Sequence, residues 1–204
     1  MVEKSLWMQN VEANPDHSHW YVQRFRAMAE AGKDLHGEAR MIDAMATRGA
    51  RILDAGCGPG RVGGELVKRG HRVVGVDVDP VLIDAAKEDH PDATWIVQDL
   101  AELDLAAAGE PEPFELIVAA GNLMAFLAPS TRGLVLKNLA GVLAPEGRMV
   151  LGFGAGRGYD YREFFSDARQ AGLRDDVLLA TWDLQPWTAT SGFLVAVLRK
   201  GDDA

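Results

Sequence analysis

The chain has a single cysteine, Cys57, in 204 residues, so no disulfide can form within it. The expectation is a reducing, cytoplasmic setting. No run reaches the roughly 18 apolar residues of a membrane span, and the opening residues carry Glu3, Lys4 and Gln9 where a signal peptide would be apolar. Basic residues are outnumbered, 21 against 30 acidic, for a net charge of −9. That balance is a poor match for phosphate backbones, so a nucleic-acid partner is not expected. There is no fixed-period repeat or low-complexity block, and no metal site is expected. The 48% hydrophobic and 25% charged content is that of an ordinary globular domain, and the length fits one domain.

What the chain does have is a run of alternating glycines. Arg51-Ile52-Leu53 reads as a strand, Asp54 stands at its end, and Gly56, Gly58 and Gly60 follow at every second position. Glycine is favoured where the backbone takes positive φ or where a ligand approaches the main chain. A helix over about Arg61–Lys68 follows, its first N–H groups unpaired. This is a nucleotide-type cradle.

Before it, residues 1–18 read as polar and mixed, with Trp7 and Met8 as isolated apolar spots. Helical spacing predicts a helix from Ser18 to Ala31, and another from Glu38 to Arg48. After it, strands and helices alternate. Strands are predicted at Arg72–Asp77, Ala93–Gln98, Phe114–Ala119 and Arg148–Phe153. Helices are predicted from Asp79-Pro80, from Ser130 to Leu143, and from Asp160 to Gly172. Two last strands, near Asp176–Leu184 and Gly192–Arg199, are separated by seven residues, too few for a parallel crossover, so they pair antiparallel. The fold expected is an α/β three-layer sandwich. Its seven-stranded sheet is mostly parallel and is closed by an antiparallel C-terminal hairpin. Ligands of such sheets bind beyond the carboxyl ends of the strands.

The glycines admit two registers. Gly58-Pro59-Gly60-Arg61-Val62-Gly63 is literally G-x-G-x-x-G, with Asp77 downstream, the dinucleotide fingerprint of an NAD(P)-dependent oxidoreductase. In that register, however, Gly56 rather than the first fingerprint glycine closes the strand. The other register, Asp54-x-Gly56-x-Gly58-x-Gly60, resembles motif I of the class I S-adenosylmethionine-dependent methyltransferases. Val74-Gly75-Val76-Asp77-Val78-Asp79-Pro80 is similar to that family's second strand, and Trp95-Ile96-Val97-Gln98-Asp99-Leu100 to its third. Phe114–Val118 and Ala144–Leu151 are similar to its fourth and fifth. The resemblance covers residues 50 to 199, closing hairpin included.

The resemblance implies S-adenosyl-L-methionine as cofactor and transfer of its methyl group, by in-line displacement, to an acceptor. The acidic chain suggests a small molecule. Asp77 would accept from the ribose hydroxyls and Asp99 from adenine N6, between apolar walls at Val78 and Leu100. Gly56, Gly58 and Gly60 would bring the backbone against the methionine tail, whose ammonium would meet carbonyls near Gly56 and Ala120. Asp54 either touches the ligand or caps the turn. Residues 1–49 would form a helical lid on a Rossmann-like methyltransferase domain at 50–200. In that lid, Tyr21 would close over the methionine end and Arg24 would hold its carboxylate. Trp20 or Tyr21, with Phe25, could instead be the buried stripe of the helix.

Acceptor-side candidates are Asn122, Met124 and Phe126 after the fourth strand, and His19 and Trp20 in the lid. Asn122 is open between a ligand contact and a loop cap. The loop Gly152–Tyr159 and Trp182 and Trp187 are further candidate walls, with core and hairpin packing the plainer reading. Cys57 reads as filler in the turn, and His71 as a surface turn residue. No catalytic base is identified. A non-catalytic module that binds the same cofactor is the other alternative. Either a monomer or a homodimer is compatible.

Overall fold

A computed structural model of the chain describes residues 2–201. Three helices come first: α1 (Leu6–Ala13), α2 (His17–Glu30) and α3 (Gly37–Met45). The alternating part runs β1 (Arg51–Ala55), α4 (Arg61–Lys68), β2 (Arg72–Asp77), α5 (Pro80–Asp89), β3 (Thr94–Val97), β4 (Phe114–Ala119), α6 (Leu123–Phe126), α7 (Arg132–Val142), β5 (Leu143–Gly154), α8 (Tyr161–Gln170), β6 (Leu173–Leu179) and β7 (Phe193–Lys200). The sheet order is β3-β2-β1-β4-β5-β7-β6. Strands β1 to β5 pair in parallel, and β7 lies antiparallel between β5 and β6. Strand order reverses between β1 and β4, so a crevice opens at their carboxyl ends, where ligands of such sheets bind.

Alternation along the strands builds the three layers. Leu53, Val74, Val76, Ile117, Met149 and Leu151 face one side, where α7 and α8 supply Leu136, Leu139 and Phe164. Ile52, Val73, Leu116, Val118 and Val150 face the other, under Ile42 of α3 and Leu66 of α4.

Local chemistry fixes most boundaries. The Asp79 and Asp160 carboxylates cap α5 and α8 by accepting from Val81 N–H and Arg162 N–H. Four expectations need correction. α1 went unpredicted although Ser5 caps it, its hydroxyl accepting from Met8 N–H at 3.2 Å. β5 begins five residues before the predicted Arg148, because Pro145–Gly147 form an irregularity within the strand. β6 starts directly after Gly172 and ends at Leu179, leaving a longer loop before β7. His71 is buried, not a surface turn residue, and its ring pairs with Asp43 at 3.0 Å.

Candidate active site

The glycine loop leaves β1 and turns back over β2. Gly56 N–H and Cys57 N–H both donate to the Val76 carbonyl, at 2.8 and 3.0 Å, which pins the loop to its neighbour strand. Gly56, Gly58 and Gly60 have φ of 68°, 54° and 78°, a region side chains disfavour. Their surroundings differ. Gly56 and Gly58 line a cavity. A Cβ at Gly58 would meet only the Tyr21 ring, at 3.7 Å. Gly60 does not line it: a Cβ there would fall 2.8 Å from Trp95 and 3.0 Å from Ala86. Of the three glycines expected against a ligand, Gly56 and Gly58 line the cavity, while Gly60 is required by packing on Trp95.

Three carboxylates face the same cavity. Asp54 is 2% exposed and accepts from Gly63 N–H at 2.8 Å. Burial pushes its carboxyl up to about 7, against the opposing pull of that N–H and of Arg61. Asp77 closes β2, accepting from Gly58 N–H at 2.9 Å and Asp79 N–H at 3.0 Å. Burial raises it to about 6, with those N–H groups opposing. Asp99 accepts from Ala101 N–H at 2.8 Å, opening a short helical turn. An ionised carboxylate has about four acceptor sites, so each keeps capacity for a ligand. Val78, Leu100 and Ala120 complete the apolar wall. Cys57 also lines it; burial and nearby Asp54 raise its thiol well above the usual value, which leaves it a small filler rather than a nucleophile.

The roof is aromatic: Trp7, Tyr21, Phe25 and Phe126. The Trp7 ring stands edge-on to Tyr21 at 5.1 Å and to Phe126 at 5.9 Å. Tyr21, whose phenol burial raises, and Phe126 were candidates; Trp7 and Phe25 were not. The missed signal for Trp7 was the Ser5 cap, which turns an isolated tryptophan into a helical one.

Other candidates fall elsewhere. Tyr21 and Phe25 are one turn apart and face inward. Trp20 and Arg24 sit one position earlier, which rotates them out of the cavity. Trp20 is 55% exposed, with the Arg24 guanidinium 5.7 Å from its ring. His19 is exposed on a shallow groove between α2 and α5. Met124 is fully buried in the core beside β4. The Asn122 side-chain oxygen accepts from Gly154 N–H at 2.8 Å, so it clamps the β4 loop to the end of β5. Nor does Gly152–Tyr159 form a wall. Tyr159 is buried, its hydroxyl donating to Asp167 at 2.6 Å and its ring 4.2 Å from the Arg132 guanidinium. Trp182 packs on Gly152, and Trp187 on Tyr161 and Phe165.

Arg61 is the cavity's cation, but Glu38 grips its guanidinium at 2.6 and 2.8 Å, and the Leu35 carbonyl takes a further N–H. The N-terminus of α4, where a pyrophosphate would seat, already has its Gly63 N–H occupied by Asp54. A phosphate-bearing dinucleotide thus meets carboxylates and a neutralised arginine. A nucleoside that carries positive charge and no phosphate fits this donor and acceptor set.

Comparison with known proteins agrees with the geometry. The family described as "Methyltransferase domain" matches residues 52–147. The structure of a TehB-like SAM-dependent methyltransferase from Corynebacterium glutamicum is 51% identical, with a TM-score of 0.87, over 92% of this chain and 100% of that one. The chain belongs to the S-adenosylmethionine-dependent methyltransferases. A magnesium-protoporphyrin O-methyltransferase from Rhodobacter capsulatus is 40% identical over 96 residues, 45% of this chain and 40% of that enzyme. The chain thus spans about two-fifths of the length of such curated relatives. The SAM-bound magnesium protoporphyrin IX methyltransferase of Synechocystis shares the fold at 17% identity (TM-score 0.61, covering 80% of this chain and 76% of that one).

Proposed function

We propose that the cavity binds S-adenosylmethionine and that the protein passes its methyl group to a small-molecule acceptor. The bound cofactor supplies an electrophilic methyl carbon on a sulfonium. The carrying observation is Asp77. It is a carboxylate with spare acceptor capacity at the strand end, held on a glycine whose missing side chain keeps the floor open.

In this reading Asp77 takes the ribose hydroxyls, and Asp99 the adenine amino group between Val78 and Leu100. Gly56, Gly58 and Ala120 present backbone to the methionine end, where Asp54 places its negative charge. Residues 1–49 act as the lid. Trp7, Tyr21, Phe25 and Phe126 exclude water, and exposed Arg24 lies outside the cavity. Phe126 borders the acceptor. Net acidity and the lone cysteine support a small acceptor in a reducing, cytoplasmic compartment. In the described residues, no helix is long and apolar enough to cross a membrane.

Among the described residues no His or Lys lines the cavity; in this reading the chain contributes orientation and exclusion of water, and the acceptor brings a usable lone pair. Titration calorimetry with S-adenosylhomocysteine and, separately, NADH tests the reading. Binding of the first alone is expected; binding of NADH alone would overturn it.

A further inference from the structure

α1 buries none of its own residues, yet Ser5 and Trp7 form part of the cavity wall. Something outside the helix must therefore hold it there. The Trp7 indole N–H donates to Asp79 Oδ2 at 2.8 Å, and the Ser18 hydroxyl, from α2, donates to the same oxygen. The other oxygen, Oδ1, caps α5 by accepting from Val81 N–H at 2.9 Å. Asp79 is 1% exposed and Ser18 fully buried. One buried carboxylate thus joins α1, α2 and α5, and its own N–H donates to Asp77. Beyond this, the Trp7 ring rests on Val22, Leu82 and Ala85 and against the rings of the roof. The segment ahead of the helix adds a solvent-exposed bond from the Ser130 hydroxyl to Glu3.

We propose that Asp79 is a latch, a positioning residue that holds Trp7 closed over the cavity, and that release of α1 from it gates ligand exchange. The inference rests on the cofactor reading of the cavity. A hydrogen bond to a charged acceptor is among the stronger ones, and Trp7 makes this one only when α1 is down. A ligand that touches Trp7 and Phe126 in the closed state binds that state better, so it shifts the population toward closure. Asp79 serves the lid and Asp77 the ligand, which makes two positions of one turn, separated by Val78, responsible for holding the cofactor and for covering it.

The test is Trp7→Phe in the full chain, which keeps an aromatic ring and removes the N–H. Hydrogen–deuterium exchange without ligand is expected to quicken about tenfold in residues 5–13, the scale of one charge-assisted bond, and to stay unchanged in β1–β5. In stopped-flow displacement, S-adenosylhomocysteine is expected to leave about tenfold faster, with association little altered. Ser18→Ala, which removes the second donor, is expected to move both readouts the same way. Exchange in residues 5–13 that is unprotected in wild type, or equal in wild type and Trp7→Phe, would overturn the latch. If S-adenosylhomocysteine fails to bind wild type, the cofactor reading falls, while the ligand-free exchange still decides the latch.

Discussion

Cofactor affinity should fall steeply with acid, because two of the carboxylates that face the cavity are raised. A ligand that offers Asp77 hydroxyls and Asp54 a positive charge binds their ionised forms. Its apparent dissociation constant then grows as each group protonates in the free protein. With Asp77 at about 6 and Asp54 at about 7, both are ionised at pH 8. At pH 5 the two penalties are about 11-fold and about 100-fold, or about 1,000-fold together. Calorimetry with S-adenosylhomocysteine, run in buffers of different ionisation enthalpy, measures both sides of the linkage. Binding at pH 6 should release about 1.4 protons, about 0.5 from Asp77 and about 0.9 from Asp54. Asp77→Asn should remove the smaller share and Asp54→Asn the larger. A dissociation constant that changes less than twofold from pH 8 to pH 5.5, with no proton release, would refute the reasoning. The ligand-free protein should show the opposite trend. Both folded values lie above the usual aspartate value of 3.8, so ionisation opposes folding at pH 8 and the penalty is relieved as pH falls through 7 and 6. The carboxylates held low by partners, such as Glu38 and Asp43, titrate below this window. Thermal midpoints should therefore rise from pH 8 to about pH 5.5 without ligand, the two aspartates outweighing half-buried His90, whose imidazole burial holds low and which opposes the trend.

Gly75→Ala would place a Cβ 2.2 Å from the Trp95 ring; thermal denaturation should register a loss of about 1–3 kcal/mol from overpacking. Met124→Ala should cost about 2–5 kcal/mol of stability, as a core truncation does, while S-adenosylhomocysteine affinity at a temperature where the variant is folded stays near wild type. Asn122→Ala, which strips the acceptor from Gly154 N–H at a residue with φ of 65°, should destabilise the fold by about 1–3 kcal/mol in chemical denaturation. Trp20→Ala, at an exposed site, should stay within about 0.5 kcal/mol in the same experiment.

The sequence by itself determined the sheet, the glycine loop and the acidic strand ends. These are local codes: strand alternation, helix spacing, caps, and glycine where φ is positive. Asp54, Asp77 and Asp99 were named through the resemblance of their motifs to the methyltransferase family, and the structure places all three on one cavity. Tertiary structure alone decided which helical stripe turns inward. Tyr21-x-x-x-Phe25 and Trp20-x-x-x-Arg24 are equally periodic, and only packing against Gly58 and Arg61 separates them. It also decided that Gly60 meets Trp95 rather than the cavity, and that Asn122 holds a neighbouring strand. The structure neutralised Arg61 with Glu38, 23 residues away. It gave Trp7 a partner at Asp79, 72 residues away. Such pairs join side chains distant along the chain, and no local period records them; they exist only once the sheet has brought its strand ends together.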